Sequence, residues 1–194
     1  MSRALRWLGY LVAALLVLLL LAAAWLWFAS NRALNAPVTS RAERLVQPTP
    51  AALPERRART LGCISCHSEG LSGKPFLDDA KVARLHATNL TDVAARASDQ
   101  QLARAIRQGI GIDGRALLVM PSEAYQYLTD AETAALIAFI RRQPRAGAPS
   151  PPRSLGPLAR LGIATGRFRT TPVLAASGPR PTSARRPPPA ATSP

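Results

Sequence analysis

The sequence is poor in the residues that most often build sites. Its 194 residues include two cysteines, two histidines and two methionines, one of them the initiator. Two cysteines cannot form a disulfide framework, and Cys63 and Cys66, three residues apart, are poorly placed to bond to each other. A tetrahedral zinc site needs four ligands, and no second cysteine pair or spaced histidine pair completes one. Aromatic residues make up only 5% of the chain. No nucleic-acid-binding motif accompanies them, which weighs against nucleic acid as a partner. No internal repeat appears, and no strand-like alternation of any length.

Acidic residues are also missing where basic ones gather. The chain carries 25 basic and 11 acidic side chains, a net charge of +14. Residues 51–145 hold 13 Arg or Lys against 10 Asp or Glu, close to balance. Residues 146–194 hold seven Arg and no acid. The excess therefore belongs to the chain ends and not to a folded face. It reads as a solvated or membrane-proximal tail.

One long apolar run is present. Residues 8–29 contain no charge and would span about 33 Å as a helix, against a hydrocarbon core of about 30 Å. Trp7, Tyr10, Trp25 and Trp27 lie toward its ends, where aromatic rings favour the interface. Arg3 and Arg6 followed by Ala22 and Ala24 also suit a cleaved signal peptide, but Trp25-Leu26-Trp27-Phe28 carries the apolar run past that site. We read residues 1–30 as an uncleaved transmembrane anchor. Arginines flank it on both sides, so charge does not decide its orientation.

Residues 31–53, with Pro37, Pro48 and Pro50, read as a tether that lets the following domain move above the bilayer. Residues 54–145 read as one small domain. A helix over 54–65 delivers the cysteine pair, and 68–97 reads as irregular loop. Ser98 with Gln101, and Thr129 with Glu132, mark two capping boxes. Leu102, Ile106 and Ile110, then Leu136, Ile137, Phe139 and Ile140, supply the apolar sides of the two helices. The domain is predicted to be all-α. Residues 146–194 read as a Pro/Arg-rich, largely disordered tail. Within it, 155–168 can form a short amphipathic piece that packs back on the domain or lies on the membrane surface.

The scarce residues converge on one motif, Cys63-Ile64-Ser65-Cys66-His67. Two thiols one helical turn apart can add to the two vinyl groups of a haem, and the next histidine then lies beside the ring as a proximal iron ligand. A redox dithiol usually comes with a βαβ pattern, which is missing. Covalent haem attachment in bacteria takes place outside the cytoplasm, so the domain is expected in the periplasm, on a single-pass anchor in the inner membrane. The sixth ligand is Met120 or His86. Met120 is favoured: Pro121 restricts it to extended backbone, in a loop between the two capped helices.

The chain resembles the class I cytochrome c family, and among its members the membrane-anchored bacterial cytochromes related to haem subunits of dehydrogenases. The resemblance rests on GCISCH, ATNLT (87–91) and the stretch from Ser98 to Pro144 that contains LVMPSEAYQYLTD. It implies one covalent haem c held at Cys63, Cys66 and His67, with Met120 as distal ligand. It also implies a fold in which the helix before CISCH crosses the helix carrying Phe139. Related subunits often carry two or three such motifs, whereas this chain has one. The expected function is one-electron transfer in a respiratory or dehydrogenase-linked chain, by a carrier and not an enzyme. Its expected partners are redox proteins: a membrane dehydrogenase upstream, and a terminal oxidase or another cytochrome downstream. The alternative is a haem peroxidase or sensor with a labile sixth position. A haemless membrane-tethered adaptor is a third reading.

Overall fold

The computed structural model describes residues 2–46 and 54–177. Helix α1 (Arg3–Asn35) is long and apolar enough to cross a membrane by length and composition. Its side chains are exposed until the last turns, where Ser30 and Leu34 become buried.

Next come α2 (Pro54–Thr60) and α3 (Cys63–His67), which the sequence suggests as one helix. Gly62 separates them. Its φ of 80° is left-handed, a conformation that costs glycine little. Helices α5 (Asp99–Gln108) and α7 (Asp130–Arg142) start where the capping boxes place them. Ser98 Oγ accepts from Gln101 N at 3.2 Å while Ser98 N donates to Gln101 Oε1 at 2.8 Å. Thr129 and Glu132 repeat the exchange at 3.2 and 2.9 Å. Two donors per helix that would otherwise be orphaned are thus satisfied.

Helix α7 packs on α2, α4 (Leu90–Arg96) and α5. Arg141 reinforces this: its guanidinium donates to the Ala94 and Ala97 carbonyls at 2.7 and 2.9 Å and to Asp99 at 2.7 Å. One α7 side chain thereby closes the end of α4 and the start of α5. Ala58, Ile64, Leu71, Leu102, Ile106, Leu136 and Phe139 are among the buried residues of the main core.

The all-α expectation is only approximate. Strands β1 (Lys74–Asp79), β2 (Ala83–Ala87) and β3 (Ser154–Leu155) form an antiparallel sheet in that order, within and beyond the stretch that reads as loop. The physical reason is that β1 is almost wholly exposed, so it carries no inward-facing apolar series. Its hairpin is set by Asp79, whose Oδ1 accepts from Lys81 N at 2.7 Å and Val82 N at 3.2 Å.

Residues 146–177 belong to the stretch expected to be largely disordered apart from an amphipathic piece at 155–168; they carry β3, α8 (Pro157–Ala164), which lies within that piece, and α9 (Thr171–Ser177). Helix α8 packs on α1, and α9 on α5 and on α6 (Ser122–Tyr125). These contacts are with distant parts of the chain, so Pro, Ser and Arg content hides them. The rest of the expected tail, 178–194, lies outside the described residues, as do 47–53 of the expected tether. The earlier part of that tether is docked, not free. Arg41 N donates to Gln108 Oε1 at 2.8 Å, Gln108 Nε2 returns a bond to Arg41 O at 2.9 Å, and Glu43 pairs with Arg107 at 2.9 Å.

Candidate haem site

Helix α3 is a single turn, and this brings Cys63 and Cys66 round to the same side, both as half-buried free thiols. Cys66 N donates to Gly62 O at 3.0 Å, and Ser65 Oγ donates to the same carbonyl at 3.0 Å. Burial pushes the Cys63 thiol up to about 11. A redox-active dithiol needs the opposite shift, toward thiolate, so that use of the pair is disfavoured. Among the described residues no cluster of His, Cys, Asp and Glu side chains could hold a bare metal ion.

His67 is buried, and its Nδ1 donates to the Thr88 carbonyl at 2.7 Å. That bond assigns the proton to Nδ1 and leaves the Nε2 lone pair for a metal, the arrangement a metal-binding histidine usually has. Burial lowers the pKa of the ring, with the Thr88 bond opposing in part, so the neutral form is favoured.

The Thr88 carbonyl is placed by a close approach of two chain segments. Gly73 has φ +81°, and a Cβ there would sit 2.5 Å from Ala87 O and 2.8 Å from Asn89 N. Gly73 N also donates to His67 O at 2.9 Å. Asn89, 1% exposed, then holds the segment in place. Its Oδ1 caps α4 through Thr91 N and Asp92 N, and its Nδ2 donates to Ala146 O at 2.7 Å and Ala148 O at 3.0 Å. The ATNLT stretch therefore buttresses His67.

Met120 is half-buried and packs against the main core, as Cys63, Leu61 and Ile112 do. Its loop is fixed on both sides. Ser122 Oγ donates to Ala105 O in α5 at 3.1 Å, and Thr171 N in α9 donates to Leu117 O at 3.0 Å. His86 is exposed on β2, opposite Pro75.

Sequence reasoning passed over Tyr125. It is 8% exposed, and its hydroxyl donates to the Leu61 carbonyl, two residues before Cys63. Burial, with the neighbouring Cys63, Cys66 and Glu123, pushes its pKa up to about 12. Tyr125 thus ties the segment after Met120 to the segment entering the cysteine turn. Its position in LVMPSEAYQYLTD was visible, but its partner, 64 residues away, was not. Arg107, near Met120 in sequence, is occupied by Glu43, Asp130 and Thr133.

Free thiols on one turn, an oriented histidine with Nε2 open, and a thioether on a braced loop fit a c-type haem. Residues 56–144 match the family model for cytochrome c, a match that implies haem c at the Cys63–His67 motif. The chain is similar to the fructose dehydrogenase cytochrome subunit of Gluconobacter japonicus, 30% identical over 103 residues. That match covers 48% of this chain, and the chain spans about 21% of the relative's length. No solved structure matches the chain.

Proposed function

We propose that this protein is a membrane-tethered, periplasm-facing c-type cytochrome that passes single electrons in a respiratory or dehydrogenase-linked chain. Residues 1–30 anchor it as a single pass in a bacterial inner membrane, and 54–145 carry the haem. The observation that carries the reading is the His67 Nδ1–Thr88 O bond on the CISCH turn, which leaves Nε2 free beside two unpaired thiols.

Haem c, when bound, supplies an iron that cycles between ferrous and ferric states. Cys63 and Cys66 would hold the haem through thioethers, and His67 and Met120 would be its iron ligands. The chain's contribution is to keep those four side chains still. Thr88 and Asn89 steady His67, Ser122 and Thr171 steady the Met120 loop, and Tyr125 joins the two sides. Thioether ligation raises the potential relative to bis-histidine ligation. Were His67 and Met120 both to bind the iron, peroxidase or sensor chemistry would lack an open site; His86 is exposed on β2.

The likeness to a dehydrogenase cytochrome subunit supports a membrane dehydrogenase as electron donor, with a terminal oxidase or another cytochrome as acceptor. Haem staining of a denaturing gel tests attachment. The wild-type band should stain, and Cys63→Ala with Cys66→Ala should not. An unstained wild-type band from a host that attaches haem would leave only the adaptor reading.

A further inference from the structure

Helix α8 docks on the emerging end of α1. Arg160 Nη1 donates to Ser30 Oγ at 2.9 Å and Asn31 Oδ1 at 3.2 Å, and Ile163 joins Leu34 in a second small core with Leu118. Along α1, Leu26, Ala29, Ser30 and Leu34 form the covered side, so the covered stretch begins inside the apolar run. The opposite face of α8 is not covered. Leu158 and Leu161, three residues apart, are 56% and 49% exposed.

After α8 the chain reverses at Gly166, φ +71°, and Phe168 N donates to Gly162 O at 2.8 Å. The turn sets exposed Phe168 beside Gly162, where even an added Cβ would meet the Phe168 Cβ at 3.2 Å. On α1 the exposed residues in the turns just before Ser30 are Trp25, Trp27 and Phe28, the aromatic end of the apolar run. Arg167 and Arg169 flank Phe168. Both are exposed, and neither side chain makes an ion pair or hydrogen bond with the described residues.

We propose that α8 and the turn after it form an interfacial foot, with Leu158, Leu161 and Phe168 entering the headgroup–acyl boundary of the leaflet from which α1 emerges. Arg167 and Arg169 meet anionic lipid phosphates there. This inference rests on the reading of α1 as a membrane anchor. The bilayer is the occupant, and not a protein, because α8 docks on α1 just past the aromatic end of its apolar run, through Ser30, Asn31 and Leu34. Exposed apolar side chains beside unpaired arginines are the composition an interfacial segment needs. The acid-free stretch that follows residue 145 adds the matching charge. The foot fixes which face of the haem domain looks away from the membrane.

The test uses the full haem-loaded chain in protein-free vesicles of phosphatidylcholine, with and without phosphatidylglycerol. Single spin labels are placed through Leu158→Cys, Leu161→Cys and Phe168→Cys. Leu18→Cys serves as the buried reference and Arg56→Cys as the water reference, and an unchanged haem spectrum verifies folding. Labels at 158, 161 and 168 should be accessible to oxygen and several-fold less accessible to a water-soluble nickel complex than the label at 56. Arg167→Glu combined with Arg169→Glu should weaken that protection where phosphatidylglycerol is present. Nickel access at 158 and 161 equal to that at 56, with Leu18→Cys protected, overturns the foot alone and leaves the patch to a protein partner. A nickel-accessible label at position 18 overturns the anchor reading, and the foot with it.

Discussion

Gly73 supports the His67 turn through its backbone, donating its N–H to His67 O. It combines a left-handed φ with backbone atoms 2.5 and 2.8 Å from where a Cβ would lie. Gly73→Ala should destabilise the domain by about 1–3 kcal/mol, read from denaturant midpoints. It should also weaken the His67–Thr88 bond, seen as an altered potential. Asp92 offers a pH test. It is buried between Arg96 at 2.6 Å and Arg145 at 2.8 Å, and Arg96 above all holds its carboxyl below the usual range while burial opposes. A carboxyl with a depressed native pKa stabilises the fold above its unfolded value, about 3.9. That stabilisation is lost as pH falls through the native value. Asp92→Asn should therefore lower stability at neutral pH and flatten the acid limb of a stability–pH curve. An unchanged acid limb would show that Asp92 contributes nothing to it.

Elements were legible in the sequence where their signals are local. Ser98 with Gln101 and Thr129 with Glu132 announce α5 and α7 because a capping box closes within four residues. Ser98→Ala and Thr129→Ala should each cost about 1 kcal/mol, measured by chemical denaturation. The hairpin was not legible because its strands face water on most sides and include Pro75, Asp78 and Asp79. Helix α8 falls within the amphipathic piece legible at 155–168, but α9 was hidden in a Pro- and Arg-rich stretch for a different reason: it packs on α5 and α6, which lie far away in the chain. The candidate site divides in the same way. The Cys63–His67 turn and the Met120 loop can be read from adjacent residues, whereas Thr88 O and Tyr125 depend on contacts across 21 and 64 residues.

At the scale of the whole molecule, the apolar helix and the haem domain are joined more firmly than a proline-containing tether suggests. Leu34 of α1 lies in a core with Ile163, and Glu43 and Arg107, at 5% and 11% side-chain exposure, form a buried pair. Arg107→Ala removes that pair and leaves the Glu43 carboxylate buried beside Gln108. It should cost about 3 kcal/mol and expose residues 36–46 to hydrogen exchange. Unchanged exchange there would mean that the docked segment is held by other contacts. In the proposed membrane-tethered carrier, such docking would restrict how the domain presents its haem to partners.

The ferric absorption spectrum of the purified full chain, recorded beside Met120→Ala and His86→Ala, tests the central claim most directly. Ligation by His67 and Met120 predicts a low-spin spectrum with the weak red-edge band of a methionine–iron bond in wild type and His86→Ala. Met120→Ala should lose that band and fall in reduction potential. A high-spin wild-type spectrum would contradict the claim, as would a band that survives Met120→Ala and disappears in His86→Ala.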